Sequence, residues 1–159
     1  MKKVFAAAAA LIIVASLSGC AESPKLVVGD CVNVVVDYSS LATNQNISTC
    51  VPVSEETQAI DVLSNAGLSL TGTDKYGLQI VCRVNNLPST SMQIGIKDHE
   101  NYIEPCTNMP PEFAYWALLI KKANGDWEWA PKGVAQLTLV AGESIGLVFS
   151  ENGNTKFPG

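Results

Sequence analysis

Phe113-Ala114-Tyr115-Trp116-Ala117-Leu118-Leu119-Ile120 is followed by Ala123-Asn124-Gly125-Asp126, Trp127-Glu128-Trp129, Gln136-Leu137-Thr138-Leu139 and Ser144-Ile145-Gly146-Leu147-Val148-Phe149. This stretch, residues 113–150, decides the fold. Aromatic and apolar strand material alternates with Asn-Gly and Gly punctuation, the pattern of an antiparallel meander. All three tryptophans of the chain lie within it. In a strand, Tyr115, Ala117 and Leu119 face one way while Trp116, Leu118 and Ile120 face the other, so one set belongs to the core. Trp127 and Trp129 share a face, opposite Glu128.

Upstream, Cys31-Val32-Asn33-Val34-Val35-Val36-Asp37 is β-branched and half alternating, a strand with one well-buried face. Polar turn material at 39–45 leads to a second short strand over 46–53, which predicts a hairpin. The single helix is expected from Ser54, whose hydroxyl is placed to cap the amides of Glu56 or Thr57. Glu55, Glu56 and Asp61 put negative charge toward the positive end of its dipole. Ala59, Val62, Leu63 and Ala66 recur at helical spacing, and Gly67 is a left-handed stop. One helix of about twelve residues with one apolar stripe must lie on a sheet. Strands are expected at 68–71 and 78–84, then an irregular segment over 87–112 with Pro88, Pro105, Pro110 and Pro111. The fold class is therefore α+β: a mostly antiparallel sheet packed on a single helix, with disulfides.

The first thirty residues speak of location. Lys2 and Lys3 precede an apolar run over 4–17, and Leu17-Ser18-Gly19-Cys20 follows, a lipoprotein signal peptide ending in a lipobox. Residues 1–19 are read as the leader, 20–30 as the lipidated cysteine with a short linker, and 31–159 as the domain. Such a linker reaches at most about 33 Å, so the domain is expected at the extracytoplasmic face of the cell membrane, anchored through lipid at Cys20. Removing the two leader lysines takes ten basic residues to eight against fifteen acidic ones, a mature net charge of −7. With no basic cluster beyond Lys121-Lys122, nucleic acid and anionic headgroups are unsuitable partners.

Outside the cytoplasm the four remaining cysteines are expected as disulfides, with three possible pairings. Folding the chain about Leu41 brings Cys31 at the head of one strand toward Cys50 at the tail of the next, leaving Cys82 with Cys106. The spacings lack a close cysteine pair, against a thiolate metal site. The lone histidine sits in Asp98-His99-Glu100, whose side chains alternate direction in extended backbone and do not converge on a metal. No nucleophile elbow or phosphate loop is present, so no catalytic residue, cofactor or metal is assigned and a non-enzymatic role is expected.

Several features in order carry a family resemblance: the helix ending Ala59-Ile60-Asp61-Val62-Leu63-Ser64-Asn65-Ala66-Gly67, the strand ending Val84-Asn85-Asn86, Tyr115-Trp116-Ala117-Leu118, Asn124-Gly125, Gly133, and Ala141-Gly142-Glu143-Ser144-Ile145. Over residues 32–150 the chain resembles the transcobalamin-like C-terminal domain and its bacterial relatives. Its cysteines, with Met109-Pro110-Pro111 ahead of Tyr115-Trp116, are also similar to small secreted actinobacterial proteins. The resemblance implies a β-grasp-like sheet over one helix and a binding role. It departs in the inserted segment 87–112 and the two disulfides. Tyr115, Trp116, Trp127 and Trp129 are the candidate ligand contacts, because aromatics bury much area at low entropic cost. The expected function is a membrane-anchored binding module for a small molecule such as a vitamin delivered to a transporter. The alternative is a protein-interaction or structural module of the cell envelope.

Overall fold

The computed structural model describes residues 30–41 and 45–159; the leader, the lipobox and Cys20 lie outside them. Strand β1 (Cys31–Asp37) sends Val32, Val34 and Val36 inward, each fully buried, with Asn33 exposed between them. It pairs antiparallel with β2 (Ile47–Pro52), the expected hairpin. Cys31 lies opposite Pro52 and Asn33 opposite Cys50. The Cys31–Cys50 disulfide therefore runs diagonally across the ladder, with Cα atoms 5.6 Å apart.

The helix is shorter than its sequence suggests. It spans Ala59–Asn65 (α1), and Gln58 precedes it in extended backbone without a side-chain cap. Ser54 does not cap it. Thr57–Gln58 instead forms a short strand, β3, and the Ala59 amide donates to the Leu137 carbonyl at 2.8 Å. A distant carbonyl thus serves the first amide of the helix, which starts later than the Ser54 cap of Glu56 or Thr57 would have placed it, and the Glu56 carboxylate accepts from the Thr138 hydroxyl. Ala59, Val62 and Leu63 are fully buried and share one core with Val32, Val34 and Val36. Gly67, at φ +80°, ends the helical turn as expected.

β4 (Leu70–Thr73) and β5 (Gly77–Val84) form a second, two-stranded sheet. The segment 87–112 is not wholly irregular. It folds a hairpin of β6 (Ile94–Ile96) on β7 (His99–Tyr102), because Ile94 and Ile96 drop into the core while Asp98 turns the chain at φ +68°. The Cys82–Cys106 disulfide staples this segment to β5, with Cα atoms 5.6 Å apart. Beside it the buried Arg83 guanidinium donates to the Pro88 carbonyl at 2.8 Å and the Glu104 carbonyl at 2.6 Å. The Glu104 carboxylate accepts from the Cys106 amide and the Tyr102 hydroxyl. His99 stacks on Phe113 at 3.6 Å, and no group of three metal-ligating side chains occurs among the described residues.

The organising stretch becomes β8 (Ala114–Lys121), β9 (Trp127–Trp129), a short β10 (Thr138–Leu139) and β11 (Ser144–Glu151). The Asn124-Gly125 turn joins β8 to β9 as expected, with Asn124 in the left-handed region. The simple meander fails after that point. β10 pairs with β3, outside the main sheet, and β11 returns to the opposite side of β8. There it lies parallel to β1, giving the order β2-β1-β11-β8-β9. Seven of the eight residues of β11 are buried, so the strand requires neighbours on both edges and cover on both faces.

Candidate functional site

The two faces of β8 have different roles. Ala114, Trp116 and Ile120 enter the main core, while Ala117 and Leu119 form a separate outer cluster with Val148, against which Tyr115 and Trp127 pack. Trp116 is 6% exposed. Its ring meets Tyr38 edge-on at 5.2 Å and Phe149 at 5.4 Å, and its indole N–H donates to the Leu87 carbonyl at 3.1 Å. The Trp116 ring is thereby committed to the core. Trp127 covers Gly146: a Cβ there would stand 3.1 Å from the indole, so glycine at 146 makes room for that ring.

Trp129 is different, at 51% exposed. It stacks on Tyr115 at 6.5 Å, and Phe157 from the C-terminal segment meets it edge-on at 6.0 Å. Thr155 positions the phenol, its hydroxyl lying 3.4 Å from that of Tyr115 and donating to Ser150 at 2.9 Å. Tyr115 and Trp129 line a cleft of about 470 Å³. Gln79, Ile80 and Val81 of β5 also line it, together with Met109, Pro110 and Val134. Gly133 lets this wall close, because a Cβ would fall 2.3 Å from the Gln79 carbonyl oxygen. Lys132 and Glu112 supply its charges.

Of the four aromatic candidates, Tyr115, Trp116 and Trp129 line the cleft, and Trp127 does not. Ile80, Met109 and Val134 were not singled out by sequence. The signal for Ile80 is weak, since an apolar residue on β5 has the same pattern whether it faces core or cleft. Comparison with protein-family models, with curated proteins and with solved structures finds no match to this chain.

Proposed function

We propose that this protein is a lipid-anchored, extracytoplasmic, non-enzymatic binding module with a β-grasp-like fold, holding a small molecule in the cleft beside β8. The carrying observation is the cleft itself, whose volume falls within the usual range for small-ligand sites and whose wall presents the stacked pair Tyr115 and Trp129. Exposed, packed aromatics offer apolar area without the entropic loss of ordering a long flexible side chain. The β-grasp reading draws support from the central parallel pair β1–β11, each flanked by an antiparallel neighbour, with α1 packed in the same core. Two disulfides suit an oxidising compartment, and the lipobox supplies the anchor at Cys20.

Trp129 sits in the cleft and serves as the reporter. Titrating the purified protein with pools of cobalamins, other vitamins and short peptides is expected to give a saturable change in tryptophan fluorescence, absent in Trp129→Ala. No change with any pool at about 1 mM removes the proposal. Separately, Cys20→Ser is expected to move the protein from the membrane to the soluble fraction; continued membrane retention would count against the lipid anchor.

A further inference from the structure

The cleft lies along strand edges. Tyr115, Trp116, Ala117 and Leu118 are consecutive, and all four line it. Neighbours in a strand point to opposite faces, so such a run shares one surface only at the strand's edge. Gln79, Ile80 and Val81 present β5 in the same way. The other edge of β5 is taken by β4 and that of β8 by β11, so two strand edges flank one slot.

On β8 the slot is supplied with backbone hydrogen-bonding groups. The Ala130 amide donates to the Leu118 carbonyl at 3.0 Å, which places the Leu118 peptide groups on the β9 side. Peptide groups alternate sides along an antiparallel strand, so the Trp116 N–H and C=O face the same way. β9 ends at Trp129, and after Ala130 the chain bends out of the ladder at Pro131 and Lys132. Among the described residues the ladder of β9 with β8 runs to Leu119, Ala130 adds one bond to Leu118, and no strand lies against Trp116 on that side. Backbone groups enclosed by protein call for a partner.

We infer that the ligand is a short peptide with free ends, inserted in extended form as a strand along β8; this deepens, and rests on, the binding-module proposal. Charge sets its direction. Glu112 stands just before β8 at the Ala114 end, and Lys132, the other charge lining the cleft, lies two residues beyond Ala130, whose amide bonds Leu118. Neither is in an ion pair; among the described residues the pair is Lys122 with Glu143. A chain parallel to β8 brings its ammonium group to Glu112 and its carboxylate to Lys132, whereas the antiparallel direction sets like charges together. From Ala114 to Leu118 the strand spans about 13 Å at roughly 3.3 Å per residue, the length of four or five residues. Alternate side chains of such a peptide face the Tyr115 and Trp129 wall, which selects apolar or aromatic residues at every second position.

The test uses three pools with the full-length protein: free-ended tetrapeptides with leucine or phenylalanine at alternate positions, the same peptides acetylated and amidated, and vitamins. Free-ended peptides are expected to change the fluorescence saturably and to slow hydrogen exchange at the Trp116 amide by roughly tenfold. Blocking both ends weakens binding by roughly fivefold, and Glu112→Lys does the same for free-ended peptides while leaving blocked ones unchanged. Peptide binding with an unchanged Trp116 amide, or equal affinity for free and blocked peptides, overturns the inference. A response to vitamins alone also overturns it and leaves the binding module standing. Silence from all three pools removes both.

Discussion

Trp116 is packed in the core while Trp129 stands half exposed on the cleft wall, and removing each tests that difference. Complete burial of a tryptophan side chain, about 220 Å² at about 25 cal/mol/Å², corresponds to roughly 5 kcal/mol. Trp116 at 6% exposed retains nearly all of this, and Trp129 at 51% retains about half. Residual compactness of the denatured chain lowers both figures, to about 4 and about 2 kcal/mol. Trp116→Ala also removes the indole hydrogen bond to the Leu87 carbonyl, which keeps only the Val84 amide as donor, and this adds to its side of the comparison. The assay is urea unfolding followed by far-ultraviolet circular dichroism, since fluorescence changes with the substitutions themselves. Equal slopes and a midpoint for Trp116→Ala well below that of Trp129→Ala are expected. A loss of about 4 kcal/mol is a large part of the stability of a domain this size. Trp116→Phe therefore provides the milder test: it keeps ring contacts with Tyr38 and Phe149, drops the N–H, and is expected to lose about 1–2 kcal/mol. A Trp129→Ala loss equal to or greater than that of Trp116→Ala would refute the assignment of faces.

Gly146→Ala is expected to destabilise by about 1–2 kcal/mol in the same assay, and by clearly less in a Trp127→Ala background, because its Cβ meets the Trp127 ring; an additive double mutant would contradict this. Replacing both Cys82 and Cys106 by alanine opens a loop of sequence separation 24 and is expected to lower stability by roughly 3 kcal/mol, with new protease cleavage between β6 and Cys106; an unchanged urea midpoint would exclude a stabilising role. Burial, and then the hydrogen bond and charge of Glu104, push the Tyr102 phenol above its ordinary value of 10.0. The unfolded chain then releases this proton first, so the contribution is intact below pH 10 and is lost as pH rises toward the native value. Tyr102→Phe is expected to flatten the alkaline fall in thermal midpoint; an identical pH profile would rule the contribution out. Burial likewise raises Tyr38, partly offset by its hydrogen bond from Asn85, so a residual slope is expected to remain in that variant.

Local pattern made much of this domain legible. Alternating valines at 32, 34 and 36 announce a half-buried strand, and Asn124-Gly125 announces the reversal between β8 and β9. The two disulfides follow from folding one hairpin and pairing the remaining cysteines. The aromatic stretch that organises the sequence also supplies the centre of the main sheet and one wall of the cleft.

What the sequence by itself determined is whatever depends on neighbours within a few residues: strand alternation, the helical stripe from Ala59 to Leu63, and the glycine stop at 67. Tertiary structure alone decided the rest. Ser54 is a sound helix cap locally, yet the Leu137 carbonyl reaches the Ala59 amide and draws Thr57–Gln58 into a strand. The period of two tells Trp116 from Tyr115 by face but leaves open which face is core; packing against Tyr38 and Phe149 settles it. The cleft exists because β9 stops while β8 continues and β5 comes alongside. Local sequence sets which conformations a segment can adopt, whereas the identity of its hydrogen-bonding and packing partners is a property of the whole chain.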